Sequence, residues 1–329
     1  MRKEARQQQD IRVASVQGYH EGGYGSELYA FRGFNGNWYF NSDRKEKTEL
    51  RDGTLYRVGK GGELLPFAGY GLEIETECNG INRDDALADV FDKIIMPNFK
   101  FGSDMFKMQH DGSLGGSSSV EVITQVMTMS RIRNDYAAYK TMFDVLFPAF
   151  GISSDSYNTS CGMHVNVSLG LLGKTREEQT EAARKLYYII NRHYSLFCKA
   201  LYRPVNRTHW CGQMDYDRAT LLNPETMPND HGKCLNYSHF NAGRIEIRLV
   251  GGQKDYYCFR NTMETIFHLV SRVTSIKWAD CDDIVKIFSG CNKYVYKRLS
   301  TECTDYITVD QLMAIQAKVN TKDNFDLHR

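Results

Sequence analysis

Glu73, Glu75 and Glu77 alternate with Leu72, Ile74 and Thr76. Period-two alternation belongs to a β-strand, so the carboxylates share one side and the other residues the opposite side. Alternate strand residues sit about 6.5–7 Å apart, so the three carboxylates form one ridge. Like charges in a row repel, and Glu is not a favoured strand residue. Either that face opens to water or a cation sits on it. Three more segments follow the same grammar. Val120, Val122 and Thr124 alternate with Glu121. Met163, Val165, Val167 and Leu169 alternate with His164, Asn166 and Ser168. Ile245, Ile247 and Leu249 alternate with Arg244, Glu246 and Arg248. The plain interpretation is an antiparallel sheet with one wet face. Such a face usually mixes Thr, Ser, Lys and Glu, whereas here Lys is missing and carboxylates outnumber positive charges. Divalent cations would neutralise the excess. Oxygen donors with one imidazole suit Mg²⁺ or Mn²⁺ rather than structural Zn²⁺. Arginines beside such ions would serve an anionic substrate or a transferring phosphoryl group.

The rest of the chain must position these strands. Its 329 residues suffice for one large domain with a small one. Hydrophobic residues make up 42% and charged residues 25%, with net charge +1, which argues against a non-specific nucleic-acid or membrane binder. No apolar run approaches the ~20 residues of a membrane span, and the polar start Met1–Asp10 reads as no signal peptide. Nine scattered cysteines without a Cys-x-x-Cys read as reduced thiols of a cytoplasmic protein.

Residues 1–66 read as an arm and a small β-rich module, with turn signals at Asn35-Gly36 and around Asp52-Gly53. Gly59-Lys60-Gly61-Gly62 lacks P-loop spacing and reads as a linker. Residues 67–329 read as one catalytic-size unit. A helix is expected from Asn82 to Pro97 and another from about Ser130 to Pro148. A capping box at Thr175 and Glu178 opens a long helix through Phe197. The stretch from Arg203 to Gly232 is a long loop of the kind that covers substrates. Lys233–Tyr237 and Arg244–Val250 read as strands. The last part is helical: Thr262–Val273, Ile284–Phe288, and a helix opened by Thr308 with Gln311.

Gly162-Met163-His164-Val165-Asn166-Val167-Ser168-Leu169 resembles the Gly-Met-His-x-His-x-Ser-Leu strand of glutamine synthetases. Arg244-Ile245-Glu246-Ile247-Arg248 resembles their Arg-Ile-Glu-x-Arg strand, and Gly71-Leu72-Glu73-Ile74-Glu75 their first metal strand. The resemblance is closer to the amidoligase family, compact relatives of glutamine synthetase and glutamate–cysteine ligase. There Asp111, Ser113 and Glu121 match an Asp-x-Ser followed by a strand Glu, and Arg203 or Arg207 an Arg-rich loop. The resemblance spans about Ala68 to Phe267.

It implies an α+β fold, a curved antiparallel sheet with helices on its outer face. It implies an ATP- and Mg²⁺- (or Mn²⁺-) dependent ligase that joins a carboxylate to an amine through an acyl phosphate. Glu73, His164 and Glu246 would hold one metal near the nucleotide. Glu75, Asp111 and Glu121 would hold another near the acceptor. Arg248 would clamp the transferred phosphate, and Asn166 would touch phosphate or substrate. Arg207 and Lys233 would contact phosphate or carboxylate. By family analogy the substrate is a peptide, protein or cell-wall-type molecule, and the setting bacterial or phage.

Asn166 stands where glutamine synthetases often carry a second His, and their substrate loops have no counterpart, so synthesis of free glutamine is not expected. Glu77 reads as the solvated end of its strand. Cys161, Cys211 and Cys234 read as reduced thiols rather than nucleophiles. His110, His193, His209, His231, His239 and His268 read as structural or surface residues. Asp215 and Asp217 either approach the amine or form a loop turn. Two other functions stay open: a phosphotransferase of the guanidino-kinase type, and a non-catalytic binding or assembly module.

Overall fold

The computed structural model describes residues 68–78, 106–110, 119–124, 126–149, 151–157, 159–206, 209, 211–213 and 232–320, with short strands between 29 and 67. The expected helix at 82–97, Asp111, Ser113, Arg207, Asp215 and Asp217 lie outside the described residues. The fold is a mixture of helices and antiparallel sheet.

Strands β1 (Tyr29–Arg32) and β2 (Trp38–Asn41) pair antiparallel on either side of Asn35-Gly36. Strands β3 (Leu50–Arg51), β4 (Thr54–Val58) and β5 (Leu64–Phe67) form a second small sheet.

The main sheet has seven strands. They are β6 (Tyr70–Cys78), β7 (Phe106–His110), β8 (Ser119–Thr124), β9 (Ile152–Ser153), β10 (Met163–Ser168), β11 (Leu235–Asn236) and β12 (Arg244–Ile247). Their order is β11-β12-β10-β6-β8-β7, with β9 pairing the far end of β6, and every pair is antiparallel. The alternation that marked these strands is the alternation that buries them. Leu72, Ile74, Val122, Met163, Val165, Val167, Ile245 and Ile247 all lie in the core.

Helices cover that apolar side. They are α1 (Met129–Asn134), α2 (Tyr136–Thr141), α3 (Arg176–Arg192), α4 (Tyr194–Ala200), α5 (Tyr256–Val273), α6 (Ile284–Ile287), α7 (Lys293–Glu302) and α8 (Val309–Gln316). α5 is the main prop. Its Phe267 ring meets Tyr70 of β6 at 4.8 Å, and its Phe259 ring stacks on Tyr139 at 4.3 Å. Among the described residues no helix is long and apolar enough to cross a membrane.

Several boundaries differ from expectation, each for a local reason. The capping box of Thr175 and Glu178 does open α3. The helix stops at His193, whose φ of −110° and ψ of 36° leave the helical region, and α4 restarts beyond it. α5 begins six residues before Thr262 because Asp255 caps it, accepting from Cys258 N–H at 2.8 Å. The segment 129–149 is not one helix, since a π-helical turn at Met142–Leu146 follows α2. β12 ends at Ile247, because both Arg248 and Leu249 donate their N–H to the Cys234 carbonyl, at 2.9 and 3.2 Å. Two residues opposite one is the pattern of a β-bulge, which re-aims the strand at Arg248.

Candidate metal and anion site

Cross-strand register assembles the site. Residues directly opposite in an antiparallel pair project from the same face. Glu73 of β6 stands opposite His164 of β10 and Ile123 of β8. Glu75 stands opposite Glu121. Asn166 stands opposite Glu246, and Glu246 opposite Asn236 of β11. The polar halves of the four motif strands therefore meet on one face, across the sheet from the helices.

His164 is the hub. Its Nδ1 lies 3.2 Å from Glu73 Oε2 and 3.3 Å from Glu246 Oε1, and its Nε2 lies 3.4 Å from Glu75 Oε1. Burial pulls its pKa down, but the charge of Glu75 and the bond to Glu73 outweigh this and raise it to about 9. The ring is therefore an imidazolium at neutral pH. Glu73 shows the reciprocal effect. Burial pushes its carboxyl up, but the bond and charge of His164, a bond from Asn166 and the charge of Arg244 bring it down to about 2. The Asn166 bond runs from Nδ2 to Glu73 Oε1 at 2.8 Å.

Glu75 is aimed by the backbone of the next strand. Gly162 N–H donates to Glu75 Oε2, and Glu75 N–H returns a bond to the Gly162 carbonyl at 3.1 Å. A Cβ at Gly162 would lie 2.5 Å from Arg203 Nη2 and 3.2 Å from Glu75 Oε2. The buried Arg203 guanidinium is in turn fixed by the carbonyls of Leu249 and Val250.

Ligand atoms of Glu73, Glu121 and His164 all lie within 4.8 Å of one another. Two carboxylates and one imidazole suit a hard divalent ion. This grouping differs from the expected division, which placed Glu121 with Glu75 and Asp111 and kept it from Glu73 and His164. Oε2 of Glu75 is engaged by Gly162, and Glu246 faces Arg248, whose Nη1 donates to Glu246 Oε1 at 2.7 Å. The Nε atoms of Arg248 and Arg244 are buried without a hydrogen-bond partner. A buried unpaired donor is costly, so these atoms suit an anionic acceptor.

The structure thus brings Glu73, Glu75, Glu121, His164, Asn166, Glu246 and Arg248 together. Lys233 sits at the sheet edge, where its backbone bridges Gly212. Glu77 is engaged away from the cluster: its Oε1 accepts from Ser160 N–H at 3.1 Å and Ser160 Oγ at 2.9 Å, so it anchors a loop. The thiols near the site are poor nucleophiles, because burial pushes Cys234 up to about 12 and raises Cys211 against the pull of Arg203 and Arg248. The eight cysteines whose side chains are described, from Cys161 to Cys303, are all free thiols. Asn236 was not singled out in the sequence, and Gly162 and Arg203 entered only as members of the family motifs, without the positioning roles they have here. The signal for Asn236 was a polar residue between Leu235 and Tyr237 on a short strand.

In sequence the chain matches no protein-family pattern and no curated protein.

Proposed function

We propose that this sheet face is the active site of an ATP-dependent carboxylate–amine ligase of the amidoligase type, working with Mg²⁺ or Mn²⁺. The observation that carries the reading is the convergence of Glu73, Glu121 and His164 within 4.8 Å on the face that also holds two arginines with unpartnered Nε donors. Cation ligands beside buried anion donors are what a triphosphate and its metal require. The order of the motif residues along the chain supports the amidoligase form of that chemistry.

Glu73, Glu121 and His164 would hold the ion, with Glu75 and Glu246 bordering it. Arg248 would direct Nε at a phosphate oxygen while Glu246 fixes its Nη1. Asn166, held by Glu73, would orient that carboxylate. ATP, when bound, would supply the γ-phosphoryl group: a substrate carboxylate oxygen would take it as ADP leaves, and the amine, giving up a proton, would displace phosphate to form the amide. An ion held by Glu73, Glu121 and His164 would supply positive charge to offset that of the phosphate. The acceptor would be a carboxylate on a peptide, protein or cell-wall-type molecule.

The test is purified protein with ATP, Mg²⁺ and pooled carboxylates and amines. ADP and phosphate released only when both partners are present support the ligase. A phosphorylated product formed without amine makes the protein a phosphotransferase instead. Absence of nucleotide binding by calorimetry sinks both and leaves a non-catalytic module.

A further inference from the structure

We infer that Asn236 is a positioning residue that locks the Glu246 carboxylate, and through it His164 and Arg248, in the arrangement the ion requires. The inference rests on reading this face as a metal site. Asn236 is completely buried on β11. Its Oδ1 accepts from Ser238 N–H at 3.0 Å, which is an Asx turn. That bond decides which way the amide points, a choice that heavy-atom positions alone leave open. With Oδ1 committed to Ser238, Nδ2 must face Glu246, and it donates to Oε2 at 2.7 Å.

The consequence lies in the other oxygen. With Oε2 held, Oε1 is presented to Arg248 Nη1 at 2.7 Å and to His164 Nδ1 at 3.3 Å. A carboxylate anchored at one oxygen cannot turn about its last bond to offer a different edge. Asn236 therefore acts one step removed from the ion. Outer partners of this kind typically change metal affinity by about 10–100-fold when removed. The fold also explains why the residue is an amide. A carboxylate here would face Glu246, and an aliphatic side chain would leave Oε2 buried and unpaired.

Asn236→Asp keeps the volume and the oxygen that Ser238 uses, removes the donor to Glu246, and sets a like charge against Oε2 that turns that carboxylate from its place. Mn²⁺ binding, followed by electron paramagnetic resonance of the free ion, would be compared in wild type, Asn236→Asp, Glu246→Gln and the double variant. Thermal unfolding would be recorded for each. The expected result is about tenfold or greater loss of Mn²⁺ affinity in Asn236→Asp. In the Glu246→Gln background the same change should alter affinity by less than about twofold, since coupled residues do not act additively. A purely structural role would lower the unfolding temperature equally in both backgrounds and give the same loss of affinity in each, which overturns the inference. Affinity within about twofold of wild type in Asn236→Asp also overturns it, being outside the range for such partners. If wild type binds no Mn²⁺, the metal reading itself falls, an outcome distinct from wild-type binding that the variant leaves intact. Should Asn236→Asp fail to fold, Asn236→Ser is put through the same four-way comparison.

Discussion

Nδ1 of His164 lies 3.2 Å from Oε2 of Glu73, its direct partner across the β6–β10 ladder. The pair holds a positive charge at the centre of a carboxylate cluster before any ion arrives. His164 is raised to about 9 and Glu73 is lowered to about 2, so between these values both are ionised. The imidazolium occupies, electrically, the place a metal would take.

Metal binding should therefore expel a proton. A metal ligand must be neutral imidazole, so below about pH 9 each ion displaces one proton from His164. Mn²⁺ affinity is expected to rise about tenfold per pH unit between pH 6 and 8. Calorimetry in two buffers of different ionisation enthalpy should count about one proton released per ion at pH 7. The metal-free protein should show the opposite trend in stability. A His whose folded pKa is raised contributes stability that is full below its unfolded value of about 6.5 and is lost as pH rises through about 9. Affinity that does not change with pH would exclude His164 as a ligand.

The opposite side of the sheet depends on a second buried carboxylate. Glu264 of α5 is 1% exposed and accepts from Arg133 Nε at 2.9 Å and Nη2 at 2.6 Å, Tyr136 Oη at 2.7 Å and Asn292 Nδ2 at 2.6 Å. It ties α1, α2 and the start of α7 to the helix that supports β6. Removing one partner of a buried ion pair strands the other charge. Glu264→Ala should cost about 3–5 kcal/mol, and Tyr136→Phe, which removes one donor of four, about 1 kcal/mol. Urea unfolding of both variants checks the ordering. Equal losses would mean that the guanidinium pair contributes little.

The strands of the site were legible because each buries one face, and burial of one face forces an alternation that a single sequence displays. Glu73, His164 and Glu246 could be placed on a common face for that reason alone. What escaped reading depends on register between strands. Whether Glu121 approaches Glu73 and His164 or stays with Glu75 is a matter of side-chain reach across β6 and β8, and Gly162 influences it by engaging Glu75. The bond from Asn236 to Glu246 needs the pairing of β11 with β12, two strands separated by a turn. The bulge at Arg248 and Leu249 leaves no mark in the alternation, which continues through it. The break at His193 was equally hidden, because the apolar periodicity of α3 runs on into α4.

Gly162 directly precedes β10 and Gly71 of β6 faces Asn166 across the ladder, yet they should respond differently to a methyl group. At Gly71 a Cβ would meet Asn166 Cβ at 3.6 Å and Val126 Cγ2 at 3.8 Å, which is ordinary contact. At Gly162 it would meet Arg203 Nη2 at 2.5 Å and Glu75 Oε2 at 3.2 Å. Arg203 cannot simply swing aside, because its guanidinium is held by two strand-end carbonyls. Overpacking a site of this kind costs about 1–3 kcal/mol. Gly162→Ala should therefore lose stability on that scale and weaken Mn²⁺ binding, because the carboxylate of Glu75 is pushed from its bond with the Gly162 N–H. Gly71→Ala should stay within about 0.5 kcal/mol of wild type, as substitutions without strain usually do. Chemical unfolding and Mn²⁺ titration of the two variants decide the matter. A Gly162→Ala protein with wild-type stability and affinity would show that Arg203 and Glu75 yield freely, and that the close fit around Gly162 does not shape the site.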